Sequence, residues 1–255
     1  MFRKIILFLL LVISTSHAFA NNRDDALASV NKDPKSFMSV DNSFKNNRDF
    51  VLAAVKSKSS VFEFVSDIFR NDKEIALEAV KDNGYYFNFV NDNFKKDRDF
   101  VLASIINNGG NGYKYIDDSL KKDREILLES VKREPTAIQF ADNTLKKDKE
   151  IVLKAVSGSV YVLEFVDESL KKDRSFILDV VKANGHALDY VGDDFKKDRE
   201  LILIGMATNE HAFQYADDSL KKDKEFVLAA LKVDPKAFEY VNDTLKKDQD
   251  ILSLR

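Results

Sequence analysis

The chain has 255 residues, 44% of them hydrophobic, with 40 Lys and Arg against 43 Asp and Glu and a formal charge of −3. The two signs are interspersed, so the one-sided basic excess that a nucleic-acid partner needs is missing, and none is expected. There is no cysteine, which excludes a disulfide framework, a thiolate nucleophile and a cysteine-based metal site, and leaves packing alone to hold the fold.

Residues 1–20 stand apart from the rest. Arg3 and Lys4 give a positive start, residues 5–13 are a short apolar run, and Ala18-Phe19-Ala20 is a small-x-small cleavage site. That pattern predicts a secretory signal peptide of bacterial style, with an apolar run too short to span a bilayer. The expectation is an exported protein, periplasmic or secreted, with no integral membrane segment after signal removal.

From residue 21 onward one period governs the chain. Lys-Lys-Asp recurs seven times, ending at Asp97, Asp123, Asp148, Asp173, Asp198, Asp223 and Asp248, with spacings of 26 and then 25 residues. Degenerate copies carry the series back through Asp72, Asn47 and Asn22. Residues 21–255 therefore read as nine repeats, starting at 22, 47, 72, 97, 123, 148, 173, 198 and 223, plus a partial tenth from 248. A fixed period of this size means a stacked array rather than one globular core.

Residues 223–247 illustrate the unit. Asp223 is a strong N-cap and Glu225 suits the positive helix end. Phe226, Val227, Ala230 and Leu231 form one wide apolar helical stripe, and Lys232 favours the C-terminus. Asp234-Pro235 signals a second start, where other copies have turn-forming Asn83-Gly84 or Asn184-Gly185. Ala237, Phe238, Tyr240 and Val241 predict a shorter second helix, broken by residues 242–244 before Leu245 returns to the core.

Three columns are nearly invariant among the copies, and each reads as core. One is the leucine column of Leu52, Leu77 and Leu178. A second is the aromatic column Phe64, Phe89, Tyr115, Phe140, Phe165, Tyr190, Tyr215 and Tyr240. The third alternates Phe and Leu, as in Phe69 and Leu170. The first copy places Asp25 and Ser39 where its sisters have apolar or aromatic residues, as a polar outer face requires.

The unit is similar to the repeats of the domain-of-unknown-function 4116 family, most distinctively at Asn184-Gly185-His186-Ala187-Leu188 and Lys196-Lys197-Asp198-Arg199. The resemblance covers essentially all of residues 21–255. It implies short paired-helix repeats and carries no reaction, ligand or catalytic residue. Gly109-Gly110-Asn111-Gly112 departs from the pattern by one added residue and reads as a bend.

Catalytic material is thin. His186 and His211 occupy the same position in neighbouring repeats, so a two-histidine metal site or pH switch competes with two exposed residues at a variable position. Asp117-Asp118, Asp193-Asp194 and Asp217-Asp218 lack the spacing of a calcium loop and read as turn and capping residues. No nucleophile elbow, zinc helix or phosphate loop occurs. No metal or cofactor is expected, and the chain reads as a non-enzyme.

What remains is a variable polar row: Glu63, Asn88, Lys114, Gln139, Glu164, Asp189, Gln214 and Glu239. With Tyr85, Tyr86 and Tyr113 around the irregular junction, and with His186 and His211, it makes the candidate contact surface. The expectation is an all-α solenoid of tandem 25-residue helix-turn-helix repeats, monomeric, binding a protein or peptide along an extended surface. Three alternatives stay open: an envelope or secreted polysaccharide binder using exposed rings, a secreted host-directed factor, and an enzyme of unknown type. Exposed rings at several copies would favour the polysaccharide reading; buried rings would favour the scaffold.

Overall fold

The computed structural model describes residues 22–108 and 111–255. The expected signal peptide and the Gly109-Gly110 part of the expected bend lie outside the described residues. Among those described there is no strand, and no helix is long and apolar enough to cross a membrane. Contacts divide the chain into two units, the first running to Leu120 and the second spanning Lys121–Arg255.

Each repeat opens with a long helix. In the first unit these are α1 (Arg23–Lys32), α2 (Arg48–Ser57), α3 (Lys73–Asp82) and α4 (Arg98–Asn108). In the second they are α5 (Arg124–Val131), α6 (Lys149–Gly158), α7 (Arg174–Ala183), α8 (Arg199–Met206) and α9 (Lys224–Val233). The expected caps form. Asp198, for example, accepts the backbone N–H groups of Glu200 and Leu201 at 3.0 and 3.2 Å, satisfying donors that have no partner within the helix. The predicted stripe is the buried one: Phe226, Val227, Ala230 and Leu231 in α9, and Phe176, Ile177, Val180 and Val181 in α7. Within each unit, consecutive long helices pack side by side.

The predicted second helix is instead a short 3₁₀ turn, such as Val160–Phe165, Gly185–Asp189, Ala212–Tyr215 and Pro235–Tyr240. The expected break after it is a third element, either a one-turn helix such as Glu168–Lys171 or another 3₁₀ turn such as Leu245–Lys247. The helix pair thus carries an extra segment in every repeat.

This geometry corrects the expected core. A 3₁₀ turn has three residues per turn, so side chains three apart share one side. Leu163 and Val166 share the buried side, and Tyr161 and Glu164 share the exposed one. Val162 and Phe165 share the third side, where Val162 is buried and Phe165 is only half-buried. The whole aromatic column follows Phe165: no member is fully buried, and Phe140 and Tyr190 are exposed. The leucine column is also half-buried, because it flanks the helix stripe rather than lying in it. The third column is mixed, with Phe69, Leu145, Leu170 and Leu220 buried. Asp25 and Ser39 are exposed, as a polar outer face requires.

The Asn-Gly pairs also behave differently from expectation. Asn83 and Asn184 cap the 3₁₀ turn by accepting the N–H of Tyr85 and His186, which is what Asp234 does for Lys236. The glycines serve close packing. A Cβ on Gly84 would sit 2.3 Å from the Gly112 nitrogen, and one on Gly185 would sit 2.2 Å from the Gly205 carbonyl oxygen.

Within each unit the Lys-Lys-Asp triplets link neighbouring repeats. The Arg or Lys after a cap pairs with the cap aspartate of the following repeat at most junctions: Arg48 with Asp72 and Lys73 with Asp97 in the first unit, each at 2.6 Å. In the second unit Arg124, Lys149, Arg174, Arg199 and Lys224 reach Asp148, Asp173, Asp198, Asp223 and Asp248 at 2.5–2.9 Å. The first lysine folds back onto the carbonyl seven residues earlier, as in Lys171 to Glu164 (3.3 Å) and Lys246 to Glu239 (2.9 Å). Its own carbonyl accepts an N–H from the next repeat, as Lys146 does from Asp167 at 3.2 Å. The second lysine lies 3.7 Å from the aspartate that caps the short helix of the next repeat in the pair Lys147–Asp167. The expected neutralised edge is therefore also a set of inter-repeat links.

Candidate functional site

Consecutive 3₁₀ turns pack against one another within each unit, so their exposed sides line up. That side carries the variable polar row. Asn88, Lys114, Glu164, Asp189 and Glu239 are exposed, while Glu63, Gln139 and Gln214 are half-exposed. The residue three earlier stands on the same edge, which is why Tyr161 accompanies Glu164 and His186 accompanies Asp189.

The tyrosines expected at the irregular junction separate. Tyr85 is 44% exposed, but Tyr86 and Tyr113 are only 7% and 1% exposed. Tyr113 stands in the buried column with Phe62 and Phe87, so it is core, not contact surface; Tyr86 packs against Tyr85 and Phe89 and shows only an edge, where it lines a groove. Lys114 lies over the Tyr115 ring, 4.7 Å from its centre, a cation–π arrangement.

In the second unit the exposed edge is richer in rings. Tyr161 and Tyr190 are 45% and 37% exposed. Tyr161 meets Phe165 edge to face at 5.5 Å. The Glu164 carboxylate beside Tyr161 raises the phenol's pKa by its charge and by accepting a hydrogen bond, with slight burial and Tyr190 adding to it. Partial burial raises that of Tyr215, reinforced by Asp189 and by Tyr190 and Tyr240 on either side.

His186 and His211 do not converge on one point. His186 Nδ1 lies 3.3 Å from Asn209 Nδ2, and His211 Nδ1 lies 3.1 Å from the Tyr240 hydroxyl. Each imidazole thus reaches the following repeat instead of its counterpart. His211 also neighbours Glu210, whose carboxyl is held below its usual range by its hydrogen bond to Lys236. Among the described residues no three His, Cys, Asp or Glu side chains are grouped to hold a metal ion. Asp117 and Asp217 accept the N–H of Ser119 and Ser219, the capping use expected of their pairs, whereas Asp193 and Asp194 lie in the first turn of a short helix capped by Gly192.

Open grooves accompany the turns. One of ≈ 710 Å³ lies in the first unit, bordered by Lys56, Lys58, Ser59, Lys81 and Tyr86. Another of ≈ 360 Å³ in the second unit runs between Lys171, Lys172 and Tyr190. Neither histidine borders them.

Tyr161 and the exposure of Phe140 and Tyr190 were missed by sequence reasoning. The signal for Tyr161 was faint, since its position varies freely among Lys, Ser, Tyr, Thr and His.

With repeat geometry and surface in view, the array defines a class, that of tandem short-helix repeat proteins. The chain belongs to the family described as "Domain of unknown function (DUF4116)", whose profile matches residues 22–70, 72–121, 104–146, 123–171, 148–196, 173–221 and 198–246. No curated protein and no solved structure matches the chain.

Proposed function

We propose that this protein is an exported, non-catalytic scaffold that binds a protein or peptide along the exposed edge of its stacked 3₁₀ turns. The observation that carries the reading is the repetition of one arrangement. From the second repeat onward, each offers a polar side chain of changing identity next to a half-buried or exposed ring, on a backbone held within each unit by inter-repeat ion pairs. Repeat arrays bind through such rows because framework and variable positions are separate. Export rests on residues 1–20 and their signal-peptide pattern.

Affinity capture with crosslinking, from periplasmic extract and from host-cell lysate, tests it. A saturable protein partner should be retained by the protein and lost when Glu63, Lys114, Glu164, Asp189 and Glu239 are changed to Ala. Absence of such a partner in both extracts would overturn the reading. Capture only from host lysate would mark a host-directed factor.

The polysaccharide reading is favoured by one observation: the aromatic column is nowhere fully buried, and Phe140 and Tyr190 are exposed. Half-exposed rings offer faces to sugars as well as to peptides. A glycan array separates the two, since binding that Tyr190→Ala abolishes would select the sugar.

A further inference from the structure

The second unit presents its rings with a particular charge. Along one edge stand Glu164 beside Phe165, Asp189 beside Tyr190, and Glu239 beside Tyr240, with the neutral Gln214 beside Tyr215 between the last two. The first unit has one acidic residue, Glu63, at the corresponding places, followed by Asn88 and Lys114, so a run of acidic positions belongs to the second unit alone.

Most lysines nearest this edge are engaged elsewhere: Lys196 pairs with Asp193, and Lys172 alone stands in the groove beside Tyr190 without an ion pair among the described residues. Lys171 and Lys246 donate to backbone carbonyls and pair with Glu168 and Asp243, each three residues earlier. Lys221 donates to the Gln214 carbonyl at 2.7 Å, and Lys236 pairs with Glu210. Asp189 and Glu239 have no cation of the second unit within ion-pair distance, and Glu164 has only the Tyr161 hydroxyl. A carboxylate beside an accessible ring is a receptor for Lys or Arg, which gains ion pairing and a cation–π contact together.

The spacing narrows the ligand further. Packed helices stand about 8–10 Å apart, which sets the step from one repeat to the next. A polyproline II chain advances about 3.1 Å per residue with three residues per turn, so every third side chain returns to the same side after about 9 Å. The two periods match.

Resting on the peptide-binding reading above, we propose that the ring-and-carboxylate edge of the second unit binds an extended, polyproline-II-like basic peptide with Lys or Arg at every third position. Glu164, Asp189 and Glu239 take the cations, and the half-exposed rings support the stems between them. The neutral Gln214 tolerates a gap at the third of four successive steps.

Fluorescence anisotropy with labelled synthetic peptides tests this on the whole protein. The probes are four Lys-Pro-Pro repeats, four Lys-Pro repeats, and four Glu-Pro-Pro repeats. Each carboxylate–ring site is expected to contribute about three- to tenfold in affinity. Lys-Pro-Pro should therefore bind at least about tenfold tighter than Lys-Pro, which carries the same charge at the wrong spacing. Glu-Pro-Pro should not bind. The triple variant Glu164→Gln, Asp189→Asn, Glu239→Gln should weaken Lys-Pro-Pro by at least about tenfold, whereas Glu63→Gln in the first unit should not. Circular-dichroism melts confirm that the triple variant stays folded. Equal binding of the two basic probes, or retained binding in the triple variant, would overturn the proposal. Failure of every basic probe while peptides selected from a random display library bind, and lose binding in Tyr190→Ala, would overturn the cationic motif but leave the scaffold standing. Failure of all peptides alongside glycan binding would overturn both.

Discussion

The cap aspartate joins two kinds of structure at one carboxylate. Asp198 accepts two N–H groups of its own helix and takes the Arg174 guanidinium of the preceding repeat at 2.7 Å. The first role is local and the second crosses to a neighbour, so they can be separated by substitution. Asp198→Ala removes both, and should cost about 1 kcal/mol for the cap and up to about 1 kcal/mol for a partly exposed ion pair. Asp198→Asn keeps an acceptor for the backbone and loses only the charge. It should cost less than about 1 kcal/mol. Asn22 and Asn47 already cap α1 and α2 in this way, accepting from Asp24 and Phe50. Urea denaturation of the two variants decides between the roles. Equal losses would mean that the pair, not the cap, carries the residue's contribution.

At the scale of the element, the 3₁₀ turn decides which aromatic residues matter for stability. Phe213 is fully buried and stacks on Phe226 of α9 at 5.9 Å, whereas Tyr215, two residues on, is half-buried. Phe213→Ala should destabilise by about 3–5 kcal/mol, the range for truncating a buried aromatic. Tyr215→Ala removes a partly exposed ring and should cost no more than about half as much. Thermal melts of both variants check this, and a larger loss at Tyr215 would contradict the geometry. The same contrast marks how far the sequence could be read. The long helices and their buried stripes were legible because caps and a 3.6-residue period agree at every copy. Ala237, Phe238, Tyr240 and Val241 also fit an α-helical stripe, so the pattern suggested a helix with Tyr240 inward. In a 3₁₀ turn Phe238 and Val241 share a side and Tyr240 turns away, and six residues carry too little periodicity to tell the two helices apart. Recurrence of a ring was therefore read as burial when it marks the boundary. The triplet's period was legible but its contacts were not. Lys246 finds a carbonyl seven residues back, where the 3₁₀ turn of its own repeat places it, and Lys147 finds an aspartate twenty residues on, a partner that only the stacked arrangement brings near.

At the scale of the whole molecule, many weak links of one kind make stability depend on acidity. Asp72 and Asp97 in the first unit are held below the usual carboxylate range chiefly by hydrogen bonds from Arg48 and Lys73. Asp173 and Asp248 in the second unit are lowered in the same way by Lys149 and Lys224. For Asp148 and Asp198 partial burial pushes upward, but Arg124 or Arg174 and the helix N–H groups together outweigh it. A carboxyl whose folded pKa lies below its unfolded value near 4 binds fewer protons when folded. Its contribution is present above that unfolded value and is lost as pH falls through the folded one. Each term is small, yet the links recur along each unit, where stability sums over repeats and their interfaces. The melting temperature should therefore stay nearly level from about pH 6 to pH 8 and fall steadily below about pH 4.5. In the variant Asp148→Asn, Asp173→Asn, Asp198→Asn it should start lower at neutral pH and fall less steeply in acid, because three of the titrating caps are gone. Half-molar salt should narrow the gap between the two proteins at pH 7, since the basic partners are about half exposed and the pairs remain open to partial screening. Parallel acid limbs for the two proteins would show that the caps are not the groups being titrated, and would move the acid sensitivity to carboxylates outside the inter-repeat links.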